Sequence, residues 1–343
     1  MTFQMEFAQK NQSDAWSARL TLLVVTYAAI ALILQPKPYL AVAAIYAGKF
    51  IVSIPILLAV GLGSMALLFG RDAPTRYAIR VLKERWHTLA TVMVFFFIGL
   101  TAFTTYKSAI PAVVPYYADQ WLADMDEWLH GDPAWKLAHR FSSEIWSLFV
   151  LKCYDVVWFA QWFGTILYVA LWSNRVGRVR YLWAHALTLV TTGTILAAAL
   201  SSVGPVFYDH FAEEPRFHGL KAAMDGIEHS YLVRGYSDYL LTLYETGRSG
   251  FGGGISAMPS VHVALAVLNA LFLSSLNRWS GAAGWAFAAL IFYGSIYTGW
   301  HYAVDGYLAA AVALTMWWLT GRMIVPPLCP TRTDGAFDRT RSS

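Results

Sequence analysis

Two short stretches of this 343-residue chain carry residue types that could act on phosphorus. The first is Gly252-Gly253-Gly254-Ile255-Ser256-Ala257-Met258-Pro259-Ser260-Val261-His262, a glycine-rich segment that runs straight into an apolar run. Proline suits the first helical position because its missing N–H needs no partner there, so a helix is expected to open at Pro259. Free N–H groups and the positive end of the helix dipole would then face the loop, where an anionic phosphate can be held. Gly254 and Ser260 are the expected substrate contacts, and His262 falls in the first turn. The plainer alternative is that the glycines only let the loop turn and that His262 caps a neighbour.

The second stretch is Tyr297-Thr298-Gly299-Trp300-His301-Tyr302-Ala303-Val304-Asp305. Residues four apart share a face on a helix, so Asp305 is expected to hold one nitrogen of His301. That fixes the tautomer and raises basicity at the other nitrogen, as a nucleophilic or proton-transferring histidine requires. The alternative is a polar pair buried for packing. Ionisable groups at membrane depth are costly, which favours function.

These residues are set by elements made for a bilayer. The chain is 57% hydrophobic and 13% charged, with a mean hydropathy of +0.46, too apolar for an ordinary soluble domain. Apolar runs long enough to cross a hydrocarbon core of roughly 30 Å fall at 17–35, 50–68, 87–111, 145–172, 181–203, 259–276, 285–300 and 303–323. The expected fold is therefore all-α, a polytopic membrane bundle of about eight transmembrane helices. The apolar segment 39–49 reads as an interfacial prelude to the second. Arg71, Arg76, Arg80, Lys83 and Arg85 gather at one link, Arg175, Arg178 and Arg180 at another, and Arg322, Arg332, Arg339 and Arg341 at the C-terminal end. The positive-inside rule makes these ends cytoplasmic, and it accounts for the net charge of +4 without a nucleic-acid partner. The helices that begin with His262 and near His301 then start at the same, extracytoplasmic, face. An integral protein of the cell or inner membrane follows, with no metal spacing among its histidines and no cofactor expected.

The links add candidates. The stretch 111–142 holds Trp121, Leu122, Met125, Trp128 and Leu129 in a helical stripe, as in an amphipathic helix on the outer leaflet. The stretch 204–256 is long for a connection and is expected to cover a site, with Phe207, Tyr208, Phe217 and Tyr236 as shields. Lys107, Arg216, Arg234 and Arg248 are the candidate cations for a phosphate, Lys107 foremost, and the alternative for Lys107 is a snorkelling interface lysine. Lys152 and Asp155 are expected to form an ion pair, and His185 to be interfacial. His210, His218 and His229 show no ligand spacing to each other. Cys153 falls within an expected span and Cys329 in the expected cytoplasmic tail, so no disulfide is expected between them. No cleavage site follows the first apolar run, so it reads as a retained helix. The expected organisation is a two-helix membrane extension over 1–84, a catalytic membrane domain over 85–325 and a disordered tail over 326–343.

Met258-Pro259-Ser260-Val261-His262-Val263-Ala264 and His301-Tyr302-Ala303-Val304-Asp305 resemble the second and third signature motifs of the type 2 phosphatidic acid phosphatase (PAP2) superfamily. Met-Pro-Ser-x-His with His-Tyr-x-x-Asp is similar, more narrowly, to the branch of inositol phosphorylceramide and sphingomyelin synthases. The resemblance implies a six-helix core and a phosphohistidine route in which His301 attacks phosphorus, Asp305 orients it and His262 protonates the leaving oxygen. The family's first motif, Lys-x6-Arg-Pro, meets Ala197, Gly204 and Pro205 here, and Ser295 stands where the third motif has an arginine. The headgroup-transferring branch also lacks parts of this clamp. The resemblance thus implies a phospholipid donor and either a lipid hydroxyl or water as acceptor, and it leaves an inactive relative open. From a different class, a transporter would show broken helices or polar residues paired between halves near mid-membrane, and no such pairing is evident.

Overall fold

The computed structural model describes residues 2–227 and 230–324, with the side chains of 2–13 and 232 left aside. His229, Cys329, the arginines 332, 339 and 341 and the tail 326–343 lie outside the described residues. All regular structure among the described residues is helical. Three long rods come first: α1 (Thr2–Leu34), α2 (Pro36–Phe69) and α3 (Pro74–Val113). Prolines at the start of α2 and α3 suit first-turn positions, where an N–H would lack a partner anyway. The segment 39–49, expected as an interfacial prelude, is continuous with α2, because the apolar run carries no breaker between Pro38 and Pro55.

Next come α4 (Asp119–His130), α5 (Ala134–His139) and α6 (Glu144–Lys152), followed by a π-turn at Cys153–Val157 that leads into α7 (Trp158–Leu171). A second π-turn, Thr191–Ile195, joins α8 (Arg175–Val190) to the short α9 (Leu196–Ala199). The expected spans 145–172 and 181–203 are thus interrupted helices, each widened by one turn of i to i+5 bonding. The long link folds into α10 (Pro205–Phe211), α11 (His218–Asp225) and α12 (Tyr231–Thr246). Three helices end the described part: α13 (Val261–Leu276), α14 (Arg278–Tyr297) and α15 (Ala303–Ile324).

Eight helical rods therefore coincide with the eight expected segments, and five of them are individually long and apolar enough to cross a membrane. The others are the short α13, the interrupted α6–α7 pair and α14. Their core forms where aromatic and aliphatic faces of the rods meet, around Phe96, Trp162, Phe163, Tyr181, Leu265 and Phe272. His185 belongs to this core and is not interfacial: its Nε2 accepts from the Trp162 indole N–H at 2.8 Å. Periodicity alone does not show which polar side of a helix a neighbouring indole will cover.

The C-terminal hairpin positions the two motifs. Asn277 alone joins α13 to α14, and its side-chain oxygen accepts from the N–H groups of Trp279 and Ser280, capping α14. Gly281 and Gly284 lie so close to Ser274 and Ala270 that a Cβ at either would stand within 3.0 Å of them. The two legs run out and back in tight contact, so the residue before α15 returns to the level where α13 begins.

Candidate active site

His262 is the second residue of α13. The helix opens at Val261, two residues later than expected, because Ser260 is the N-cap: its hydroxyl accepts from the Val263 N–H at 3.4 Å. Ser260 is fully buried by that role and does not line the cavity below. Upstream, Ala257 N–H donates to the Ser202 carbonyl at 3.0 Å and Met258 N–H to the Ser202 hydroxyl at 3.1 Å. The loop is thereby fixed to the end of the α8–α9 rod. Gly254 has φ +92, and a Cβ there would stand 2.8 Å from the backbone of Lys107 and Ser108. Glycine at 254 lets the loop lie directly on α3.

His301 precedes α15, which begins at Ala303, so His301 and Asp305 do not share a helical face. They meet through a capping turn: Asp305 Oδ2 accepts from the Tyr302 N–H at 3.1 Å and pairs with His301 Nδ1 at 3.3 Å. A carboxylate in the first turn of a helix serves the free N–H groups there, and this one serves the imidazole as well. With Nδ1–H donating to the carboxylate, Nε2 keeps its lone pair. Gly299 makes the preceding turn at φ +72, against Leu220. Ser260 N–H donates to the Asp305 carbonyl at 3.3 Å, tying the two motifs together.

The imidazoles of His262 and His301 lie 6.4 Å apart, centroid to centroid, at 57° to one another. His262 rests against the rings of Tyr154 at 4.8 Å and Trp158 at 4.0 Å, and its carbonyl accepts from the Trp158 indole at 3.0 Å. Both histidines line a cavity of about 770 Å³, together with Lys107, Gly254, Asp155 and Lys49. Its remaining walls are largely aromatic, with Phe159 and Phe163 from α7, Tyr236 and Tyr239 from α12, and Phe251 and Trp300 from the loops. Lys107 carries no ion pair among the described residues. The Lys49 ammonium reaches over the Phe251 ring at 5.7 Å.

Other candidates lie elsewhere. Arg234 pairs with Asp225 at 2.8 Å, and Arg248 is exposed beside its own helix end; neither lines the cavity. Arg216 is held by Asp124 at 2.5 Å and Glu127 at 2.6 Å. Of the shielding aromatics, Phe207 and Tyr236 face the cavity, whereas Tyr208 and Phe217 pack beneath the long link. Lys152 and Asp155 do not approach within ion-pair distance, because the π-turn between them offsets the two side chains and leaves Asp155 on the cavity wall. Cys153 is buried and free.

The positions of the missing clamp are refilled by packing. Gly204 has φ +83, and a Cβ there would stand 2.6 Å from the Trp300 carbonyl, which leaves no room for an arginine. The N–H groups of Val203 and Gly204 donate instead to the Asp119 carboxylate, at 2.8 and 2.9 Å, and the Tyr302 hydroxyl donates to the same group at 3.0 Å. Burial pushes the Asp119 carboxyl above the ordinary carboxylate range, against the three hydrogen bonds that hold it down. Ser295 is buried, and its carbonyl accepts the His301 N–H at 3.2 Å. Sequence reasoning missed Asp119, Tyr154 and Lys49. For Lys49 a signal existed, a lone charge inside an apolar run.

The fold is an all-helical membrane bundle whose two motif histidines line one cavity. The model of the PAP2 superfamily matches residues 120–319, more than half of the chain, and the chain belongs to that superfamily. It is a membrane-embedded phosphatase or phosphotransferase acting on lipid phosphates. The match begins inside α4, so α2 and α3, which bring Lys49 and Lys107 to the cavity, lie outside it. No curated protein and no solved structure matches significantly.

Proposed function

We propose that this protein transfers a phosphoryl headgroup from a phospholipid donor to the hydroxyl of a second lipid, through a phosphohistidine, as the inositol phosphorylceramide and sphingomyelin synthase branch does. The observation that carries this reading is the 6.4 Å separation of His262 and His301 at one aromatic-walled cavity, with His301 held from behind by Asp305.

The lone pair of His301 Nε2 attacks phosphorus as the bond to the leaving lipid oxygen breaks, and protonated His262 gives that oxygen its proton. Asp305 holds His301 in the required tautomer and stabilises the cation that forms as Nε2 bonds to phosphorus. In the second half, neutral His262 takes the proton of the acceptor hydroxyl, whose oxygen attacks phosphorus and frees His301. Lys107 supplies charge to the phosphoryl oxygens in place of the missing arginines. The two imidazoles act from one membrane face, and the arginine-rich links support an extracytoplasmic one.

The largely aromatic lining supports transfer over hydrolysis, since such side chains offer an attacking water few hydrogen-bond partners. The test is product analysis in detergent or liposomes with labelled phospholipid donor, with and without acceptor lipid. Transfer requires label to appear in a new lipid and product formation to depend on acceptor. Equal release of water-soluble phosphate with and without acceptor would make the protein a lipid phosphatase instead.

A further inference from the structure

Tyr154 has no part in the scheme above, yet it lines the cavity beside His262. It lies in the π-turn Cys153–Val157, a rare widening that costs helix regularity and recurs at functional sites. Its ring stacks on the His262 imidazole at 4.8 Å and 15°. The same residue packs against Gly294, where a Cβ would stand 3.0 Å from the Tyr154 ring, so the glycine lets α14 lie close to it.

Two buried polar atoms of the site lack hydrogen-bond partners: the Tyr154 hydroxyl, a donor, and Asp305 Oδ1, an acceptor. Asp305 and Asp155 are the acidic residues around the Tyr154 phenol. Leaving either atom unpaired is unfavourable, and orphans of this kind ask for an explanation. The contacts already form an open ring: Tyr154 on His262, His262 facing His301 at 6.4 Å, and His301 bonded to Asp305 at 3.3 Å. The Tyr154 hydroxyl and Asp305 Oδ1 are the unpartnered atoms at its two ends.

We propose that Tyr154 is a positioning residue whose face sets the plane of His262 and whose hydroxyl donates to Asp305 Oδ1 when the two groups draw together over bound substrate. The carboxylate is then held on both oxygens, by Tyr154 on one side and by His301 and the Tyr302 N–H on the other. Both imidazoles are thereby oriented through one side chain. The inference rests on the phosphohistidine reading, since it assigns Tyr154 to the geometry of that step.

The test is a double-mutant cycle on the single-turnover rate of labelled phosphoenzyme formation, at saturating phospholipid donor, with full-length protein in detergent. Tyr154→Phe keeps the ring and removes only the hydroxyl. It is expected to slow formation about tenfold, the scale of one hydrogen bond to a charged group, with KM unchanged within about twofold. In an Asp305→Ala background the same substitution is expected to cost nothing further. A full tenfold loss in that background, or no loss from Tyr154→Phe alone, would overturn the proposal. Should Asp305→Ala not fold, the split between kcat and KM in Tyr154→Phe decides by itself: a loss confined to KM counts against a positioning role. No label in the wild type would remove the phosphohistidine reading and this inference with it, whereas label in the wild type with Tyr154→Phe unaffected removes only this inference.

Discussion

The Asp119 carboxylate accepts from the backbone N–H of Gly204 at 2.9 Å, at the position where the superfamily's first motif places an arginine. A cation that would face the phosphate is replaced by an anion that fixes the loop. Since Tyr302 donates to the same carboxylate at 3.0 Å, the helix α4 ties the remnant of the first motif to the residue next to His301.

Gly204 is therefore expected to resist its family residue. Gly204→Arg, and even Gly204→Ala, places a Cβ against the Trp300 carbonyl at a positive φ. The cost in stability is about 1–3 kcal/mol, with activity lost through displacement of Trp300 and His301. Thermal melts in detergent beside turnover rates check this. An active, stable Gly204→Arg would show that the clamp is merely absent and not excluded.

Lys107 is the expected replacement for that clamp. Lys107→Met should lower kcat/KM by about 10²–10³, as for loss of one preorganised donor to a developing charge. Lys49→Ala, exposed at the cavity wall on α2, should cost less than Lys107→Met. Rates for both variants that match the wild type would return Lys107 to the role of an interfacial lysine.

Ser260 separates capping from substrate contact. Ser260→Ala removes the acceptor for the Val263 N–H and is expected to destabilise by about 1 kcal/mol while leaving KM within about twofold. A large rise in KM without loss of stability would place its hydroxyl on the substrate.

The loop arginines should be dispensable. Arg234 is satisfied by Asp225 on the surface and Arg248 is exposed, so alanine at either is expected to leave turnover within about twofold. A tenfold loss at either, seen in initial rates, would mean that the long link closes over the donor more tightly than this structure shows.

The reach of the sequence differs from residue to residue. The eight rods follow from apolar length, and the meeting of His262 with His301 follows from counting the two legs of one hairpin between them. The Asp119 bonds join residues about 84 positions apart, and no local pattern announces such a pairing. The π-turns carry no sequence marker either, so the expected Lys152–Asp155 pair rested on a regular helix that the chain does not keep. Proline at 259 looked like a helix start, yet the serine after it makes the better cap, and the start moved two residues on. His301 and Asp305 are four apart as a helical pair would be, and they pair, although by a capping turn.

The central claim is that His262 and His301 grip one phosphorus centre. It is tested most directly by trapping the protein with labelled phospholipid donor and mapping the acid-labile adduct by mass spectrometry. The adduct is expected on His301, absent in His301→Ala, and formed about 10²–10⁴ times more slowly in His262→Ala. An adduct on any other residue, or one that forms undiminished without His301, would contradict it.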